Sequence, residues 1–237
     1  MLGPPLDTFK PNKVPLVVVV LVALPIGFLL TIPTAERGAR IFWASVLAVL
    51  VLLFVWLLSL RVSLHQEGIS YHSLFGEKEM RWDELERFYY TAAKHSVNFI
   101  PIGTYYWFKL IDVHGRKLSF GNRIEHPSEL GAKLIEHTTG SLLPKAADWY
   151  NNGVELDFGP LRISRPGGVK RKKWVGFKEI PWDQVASYAI NEGRFYIWQV
   201  GEKRTSGYRL GKVPNAFVLL ALLDEIFRPE PPAAGVK

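Results

Sequence analysis

The sequence predicts an α+β protein: an N-terminal helical hairpin able to span a membrane, then two tandem small β-barrel or sandwich domains, each closed by a C-terminal helix. Three observations predict it. Two uncharged apolar runs of twenty residues fill most of the first sixty positions. A Trp-Asp pair stands at Trp82-Asp83 and again one hundred residues later at Trp182-Asp183. The order of strand-like and helix-like segments around the two pairs is the same.

A tail of residues 1–13 comes first. The apolar runs are Val14 to Pro33 and Ile41 to Leu60. At ~1.5 Å of rise per residue, twenty helical residues span ~30 Å, about one hydrocarbon core. Pro25 and Gly27 are tolerated in a lipid-embedded helix, and Trp43 and Trp56 stand near the two ends of the second run, where an aromatic belt places them. Lys10 and Lys13 before the first run resemble the start of a secretory signal. Its length and the second run that follows at once favour a retained anchor. The short connection Thr34 to Arg40 makes the pair an antiparallel hairpin. Lysine and arginine near the span ends number three on the terminal side (Lys10, Lys13, Arg61) and two in the connection (Arg37, Arg40). That count leans towards both termini being cytoplasmic. Neither span holds an ionisable residue of the kind that marks a transport pathway.

The rest of the chain reads as one module written twice: residues 61–137 and 148–228, joined by a linker at 138–147 and followed by a Pro-rich tail at 229–237. "EGISYHSLF" (Glu67 to Phe75) pairs in this reading with "NGVELDFGP" (Asn152 to Pro160), and "KLSFGNR" (Lys117 to Arg123) with "YRLGK" (Tyr208 to Lys212). Each copy runs hairpin, Trp-Asp strand, hairpin, helix. The strands are marked by aromatic and β-branched runs between glycine-containing turns, such as His114-Gly115. Pro127-Ser128-Glu129 and Pro214-Asn215 are helix-start signals. A module of this size has a marginal core on its own, so the copies are expected to pack together.

Gly68-Ile69 with Trp82-Asp83, and Gly153-Val154 with Trp182-Asp183, give a pattern that resembles bacterial pleckstrin-homology-like (PH-like) membrane proteins, many of which join transmembrane helices to such domains. The resemblance covers about Arg61 to Phe227. It implies a binding or scaffold role in a bacterial inner membrane, and it brings no catalytic residues or cofactor.

The net charge of +7 makes acidic partners plausible, and the absence of cysteine excludes disulfides and thiolate chemistry. The six histidines are scattered without metal-ligand spacing, and no phosphate loop, nucleophile elbow or carboxylate dyad is evident. The expectation is a protein that is not an enzyme and uses no metal or cofactor.

Two segments remain as candidate sites. From Gly68 to Trp82 there are 14 positions and from Gly153 to Trp182 there are 29, so the second copy reads as carrying a longer first hairpin. "RPGGVKRKKW" would lie at its tip, offering Arg165, Lys170, Arg171, Lys172, Lys173 and Trp174 to anionic lipid headgroups. In PH domains the first loop is where phosphoinositides bind, which the resemblance extends to this segment. A solvated charged turn is an equal reading. The second candidate, Phe99, Ile100 and Ile102 in "VNFIPIG", is apolar in an expected loop and could touch a bilayer or a partner. Packing within the fold is favoured there. The partners considered are the lipid bilayer, anionic lipids and another membrane protein, whereas nucleic acid is disfavoured for want of any recognisable module.

Overall fold

The computed structural model describes residues 2–30, 37–97, 100–202 and 205–228, with the backbone alone at 95–97 and 100–102. It divides into two compact units, Met1–Arg81 with Phe120–Leu130, and Trp82–Ser119 with Gly131–Lys237.

In the first unit, strand β1 (Pro5–Phe9) precedes helices α1 (Lys13–Leu30) and α2 (Arg37–Ser59). β2 (Arg61–His65), β3 (Gly68–Ser73) and β4 (Gly76–Arg81) follow, and the four strands form one antiparallel sheet in the order β1-β2-β3-β4. Both helices are long and apolar enough to cross a membrane, and few of their residues are buried, unlike those of helices in a soluble core. Residues 31–36 of the expected spans and connection lie outside the described residues. Asn12 caps α1, its side-chain oxygen accepting the Val14 N–H at 3.0 Å. The segment after β7 holds the entry to α1: Asn12 N–H donates to Arg123 O, Glu125 N–H donates to Lys10 O, and the Arg123 guanidinium lies 5.0 Å above the Trp56 ring.

The tail contributes a strand to the first sheet. β1 pairs with β2, Phe9 opposite Val62, and buries Phe9 with Leu60, Val62, Leu64, Ile69 and Met80. Both helices leave one end of a sheet that their flanking strands close.

The second unit begins with β5 (Leu85–Val97) and β6 (Ile100–Asp112), a long antiparallel hairpin paired out to Val97 opposite Ile100. β7 (Lys117–Gly121) completes that sheet. The predicted His114-Gly115 turn is present: buried Asp112 accepts the backbone N–H groups of His114 and Arg116 and Gly115 takes φ +77°. Helix α3 (Pro127–Asn151) runs straight through the expected linker. The reason is a buried stripe at every fourth residue, Leu134, Thr138, Leu142, Ala146 and Tyr150, which is a helical face.

β8 (Leu156–Phe158), β9 (Leu161–Ser164), β10 (Gly168–Lys172) and β11 (Phe177–Ile180) form a second four-stranded antiparallel sheet. β12 (Val185–Asn191), β13 (Arg194–Gln199) and β14 (Tyr208–Arg209) form a three-stranded one, and α4 (Ala216–Ile226) closes the chain. Asn215, at φ +52° before α4, is tied to β5 by hydrogen bonds to both backbone groups of Phe88.

The duplication is exact in its strand order: four strands, three strands, one helix, twice. Its register corrects the equivalence drawn from sequence. Ile69 pairs with Met80 and Val169 pairs with Ile180, so Gly168-Val169, not Gly153-Val154, corresponds to Gly68-Ile69. Counted so, glycine and tryptophan stand 14 apart in both copies and the second copy has no hairpin insertion. The insertion lies in the first. Phe9 opposite Val62 corresponds to Phe158 opposite Leu161. Where the second copy turns on Gly159-Pro160, the first holds the entire helical hairpin.

Gly68 and Gly168 occupy this matched position for a steric reason. A Cβ on either would run into the backbone oxygen of the facing strand, Met80 O or Ile180 O, and Gly168 also has φ +76°. Gly168→Ala is expected to destabilise the protein by about 2 kcal/mol, read as a lowered midpoint in thermal unfolding in detergent micelles. An unchanged midpoint would contradict this strand register.

Candidate functional site

The basic run lies on β10, and a strand sends successive side chains to opposite faces. Lys170 is on the polar face, where its Nζ is 2.7 Å from Glu155 Oε2 and 3.3 Å from Glu179 Oε1. The Lys170 hydrogen bond holds the Glu155 carboxyl below its ordinary pKa, and the same contact raises that of Lys170. Arg171 points inward and is 3% exposed. Its guanidinium grips the Glu202 carboxylate with two hydrogen bonds of 3.0 Å and also donates to Thr205 Oγ1 and Ile197 O. Arg165, in the turn before β10, donates to Asn151 O at 3.3 Å.

Lys172, Lys173 and Trp174 are brought together at the β10–β11 turn. The turn is closed by Lys173 N–H donating to Gly176 O, and Tyr208 Oη donates to Lys172 O at 2.8 Å. Trp174 is fully exposed and Val175 is 85% exposed. A shallow polar cavity of about 440 Å³ adjoins them, lined by Arg171, Lys172, Lys173, Glu202, Ser206 and Tyr208 among others. The six sequence candidates thus separate into two groups. Lys170, Arg171 and Arg165 are engaged within the fold, while Lys172, Lys173 and Trp174 stand at a hairpin tip.

The duplication reveals a counterpart of that tip that was not evident in the sequence. The matching turn of the first copy, between β3 and β4, carries Leu74 and Phe75, 50% and 88% exposed. Its position relative to the helices is defined. β2 starts at Arg61, directly after α2, and Arg61 pairs with His72, so β3 runs back towards α2 and its turn lies beyond that pair. Leu58, Ser59, Arg61, His72 and Glu77 line one small cavity of about 310 Å³ there. Phe75 is therefore at the end of the sheet from which the apolar helices emerge. The signal in sequence was the pair of large apolar residues at a one-hundred-residue spacing, Leu74-Phe75 and Trp174-Val175.

Of the second candidate segment, Phe99 lies outside the described residues. Ile100 and Ile102 belong to β6, in a paired hairpin and not the expected loop, and their side chains lie outside the described residues. Trp82 is buried and stacks on His137 at 5.1 Å. Trp182 is half-buried, donates its indole N–H to Ser164 O, and meets Tyr150 and Phe227 edge-on. Among the described residues, no group of three or more His, Asp or Glu side chains is placed to hold a metal ion.

A model described as a family of unknown function (DUF6585) matches residues 1–231. No curated protein and no solved structure matches the chain.

Proposed function

The chain belongs to that family of unknown function, and we propose that it is a membrane-anchored, non-catalytic binding module that engages the surface of an anionic bilayer through its hairpin tips. One observation carries the reading: the same turn in both copies exposes two large apolar residues, Leu74-Phe75 and Trp174-Val175. Isolated exposed apolar side chains are ordinary, but an equivalent pair at the tip of both duplicated hairpins marks a contact surface. In the second copy Lys172 and Lys173 directly precede the aromatic, a combination suited to the headgroup level, where each basic side chain gains about 1 kcal/mol near anionic lipid.

The two copies are PH-like in this reading, supported by their four-plus-three strand order and closing helix. The helical hairpin is an anchor in a bacterial inner membrane. Pairing of β1 with β2 supports the N-terminal strand and the first sheet lying on one side of it. Lys10, Lys13 and Arg61 cluster at that end, which favours the cytoplasmic side. The anchor also keeps both tips at high effective concentration near lipid. A scaffold that binds a protein partner is the second reading. It is favoured by an apolar groove of about 460 Å³ lined by Leu142, Ala146, Trp149, Leu156, Phe158 and Val218 among others.

The chain has no cysteine, so a single Val175→Cys change places one spin label at the tip. In proteoliposomes containing phosphatidylglycerol, the label is expected to be reached by oxygen and shielded from a water-soluble nickel relaxant. Lys172→Glu with Lys173→Glu is expected to return it to water. A label that stays aqueous in every lipid mixture sinks the bilayer reading and leaves the scaffold.

A further inference from the structure

We infer that the second unit carries a separate binding site for a polyphosphate-type anion, in an open groove between β5 and the β13–β14 edge. The groove has a volume of about 800 Å³ and is lined by Thr91, Ala92, Ala93 and Lys94 of β5, Thr104 of β6, and Glu192, Gly193, Arg194, Arg209, Gly211 and Lys212. Four of these side chains are cationic and one is a carboxylate.

Register makes the charge concentration costly for the isolated fold. Arg194 and Arg209 are direct cross-strand partners, and like charges directly opposite on neighbouring strands destabilise a sheet. Arg194 is steadied by donating to Gly207 O at 2.9 Å, but a carbonyl does not neutralise it. Among the described residues Lys94, Arg209 and Lys212 make no ion pair. A ligand bearing several negative charges would relieve this repulsion, and guanidinium groups suit phosphate oxygens.

The groove floor suits the same ligand. Gly193 has φ +71°, and a Cβ there would press on Ala92 O. A Cβ on Gly211 would collide with Thr91 Oγ1. Gly193 lets the turn before β13 approach the β5 backbone and Gly211 lets the turn after β14 approach the Thr91 hydroxyl, so the cations stand around small side chains, Thr91, Ala92 and Ala93. Clustered phosphates fit such an arrangement better than a lone carboxylate, because several cations must be satisfied at once. Phosphates of this kind can belong to a soluble compound or to a lipid headgroup. This site shares no residue with the hairpin tips.

Full-length protein in phosphatidylcholine nanodiscs, titrated with tripolyphosphate by calorimetry at low salt, tests the assignment. Saturable binding is expected, weakened about tenfold or more by Arg209→Glu with Lys212→Glu, less by the matching glutamine pair, and unaltered by Lys172→Glu with Lys173→Glu. Repeating the titration in discs containing phosphatidic acid separates the sources: competition by the lipid identifies a headgroup site, and unchanged affinity identifies a soluble one. Absence of saturable binding in phosphatidylcholine discs overturns the inference. So does binding that is the same in wild type and in a folded Arg209→Glu/Lys212→Glu variant. Loss of tip insertion with this binding intact would instead remove the bilayer reading alone.

Discussion

Phe9→Ala is expected to destabilise the protein by about 3–5 kcal/mol, the usual cost of truncating a buried phenylalanine. The residue lies before both apolar helices, in a short stretch that resembles a dispensable leader. Yet it is 6% exposed and pairs with Val62 across the β1–β2 ladder. Its counterpart Phe158 is equally buried against Leu161, so Phe158→Ala is expected to cost a similar amount. The measurement is urea unfolding of the full chain in detergent micelles, followed by tryptophan fluorescence. A Phe9→Ala variant as stable as wild type would mean that β1 is not part of the sheet. The apolar helical hairpin would then hang from a flexible tail and not from a closed strand pair. The distinction bears on function, because a hairpin gripped at both ends restricts how the first sheet can tilt relative to the helices, and with it where Phe75 can reach.

The helices, the duplication and the closing α4 were legible in the sequence for physical reasons. Uncharged runs of twenty residues have few alternatives to a long apolar helix, and aromatic strands between glycine turns announce themselves. The pairing of copies was harder. Gly153-Val154 resembles Gly68-Ile69 locally, and two residues carry too little information to choose between it and Gly168-Val169. Steric demand settles the matter, since Gly68 and Gly168 both face a carbonyl that allows no Cβ, a constraint that exists only once strands are paired. β1 was illegible because five residues containing proline and aspartate give no strand period, and its partner lies beyond the insertion, at Arg61–His65. The expected linker at 138–147 contains glycine and proline, which read as breakers. A buried stripe at four-residue spacing overrides them.

The basic segment was legible as chemistry but not as geometry. A run of four cations looks like one patch until its period is known. On a strand it divides: Lys170 turns to Glu155 and Glu179, Arg171 turns inward, and Lys172 and Lys173 are left near Trp174. The alternation follows from the strand itself, so the missing information was the location of β10. That in turn depended on finding the right repeat.

The sharpest consequence of this division concerns Arg171 and Glu202. Glu202→Ala is expected to cost about 3–5 kcal/mol, because it leaves a buried guanidinium without its counter-charge. Arg171→Met is expected to cost much less, since an apolar chain of similar length needs no partner and the part-exposed Glu202 can take up water. Combining the two changes should therefore recover most of the loss caused by Glu202→Ala alone, a non-additivity that identifies the pair as coupled. Lys172→Ala and Lys173→Ala, by contrast, should each change stability by no more than about 0.5 kcal/mol. The pH dependence has a definite sign. The hydrogen bond from Arg171 holds the Glu202 carboxyl below its ordinary value of 4.5. A carboxyl depressed in the folded state stabilises fully above its unfolded pKa, and that contribution is lost as pH falls through the depressed value. Wild type should thus lose stability on acidification below about pH 4.5 more steeply than Arg171→Met, in parallel urea titrations of the full chain. Equal acid sensitivity in the two, or a Glu202→Ala variant as stable as wild type, would mean that Arg171 is not locked inside the fold. It would then join Lys172 and Lys173 as a residue free to meet a ligand.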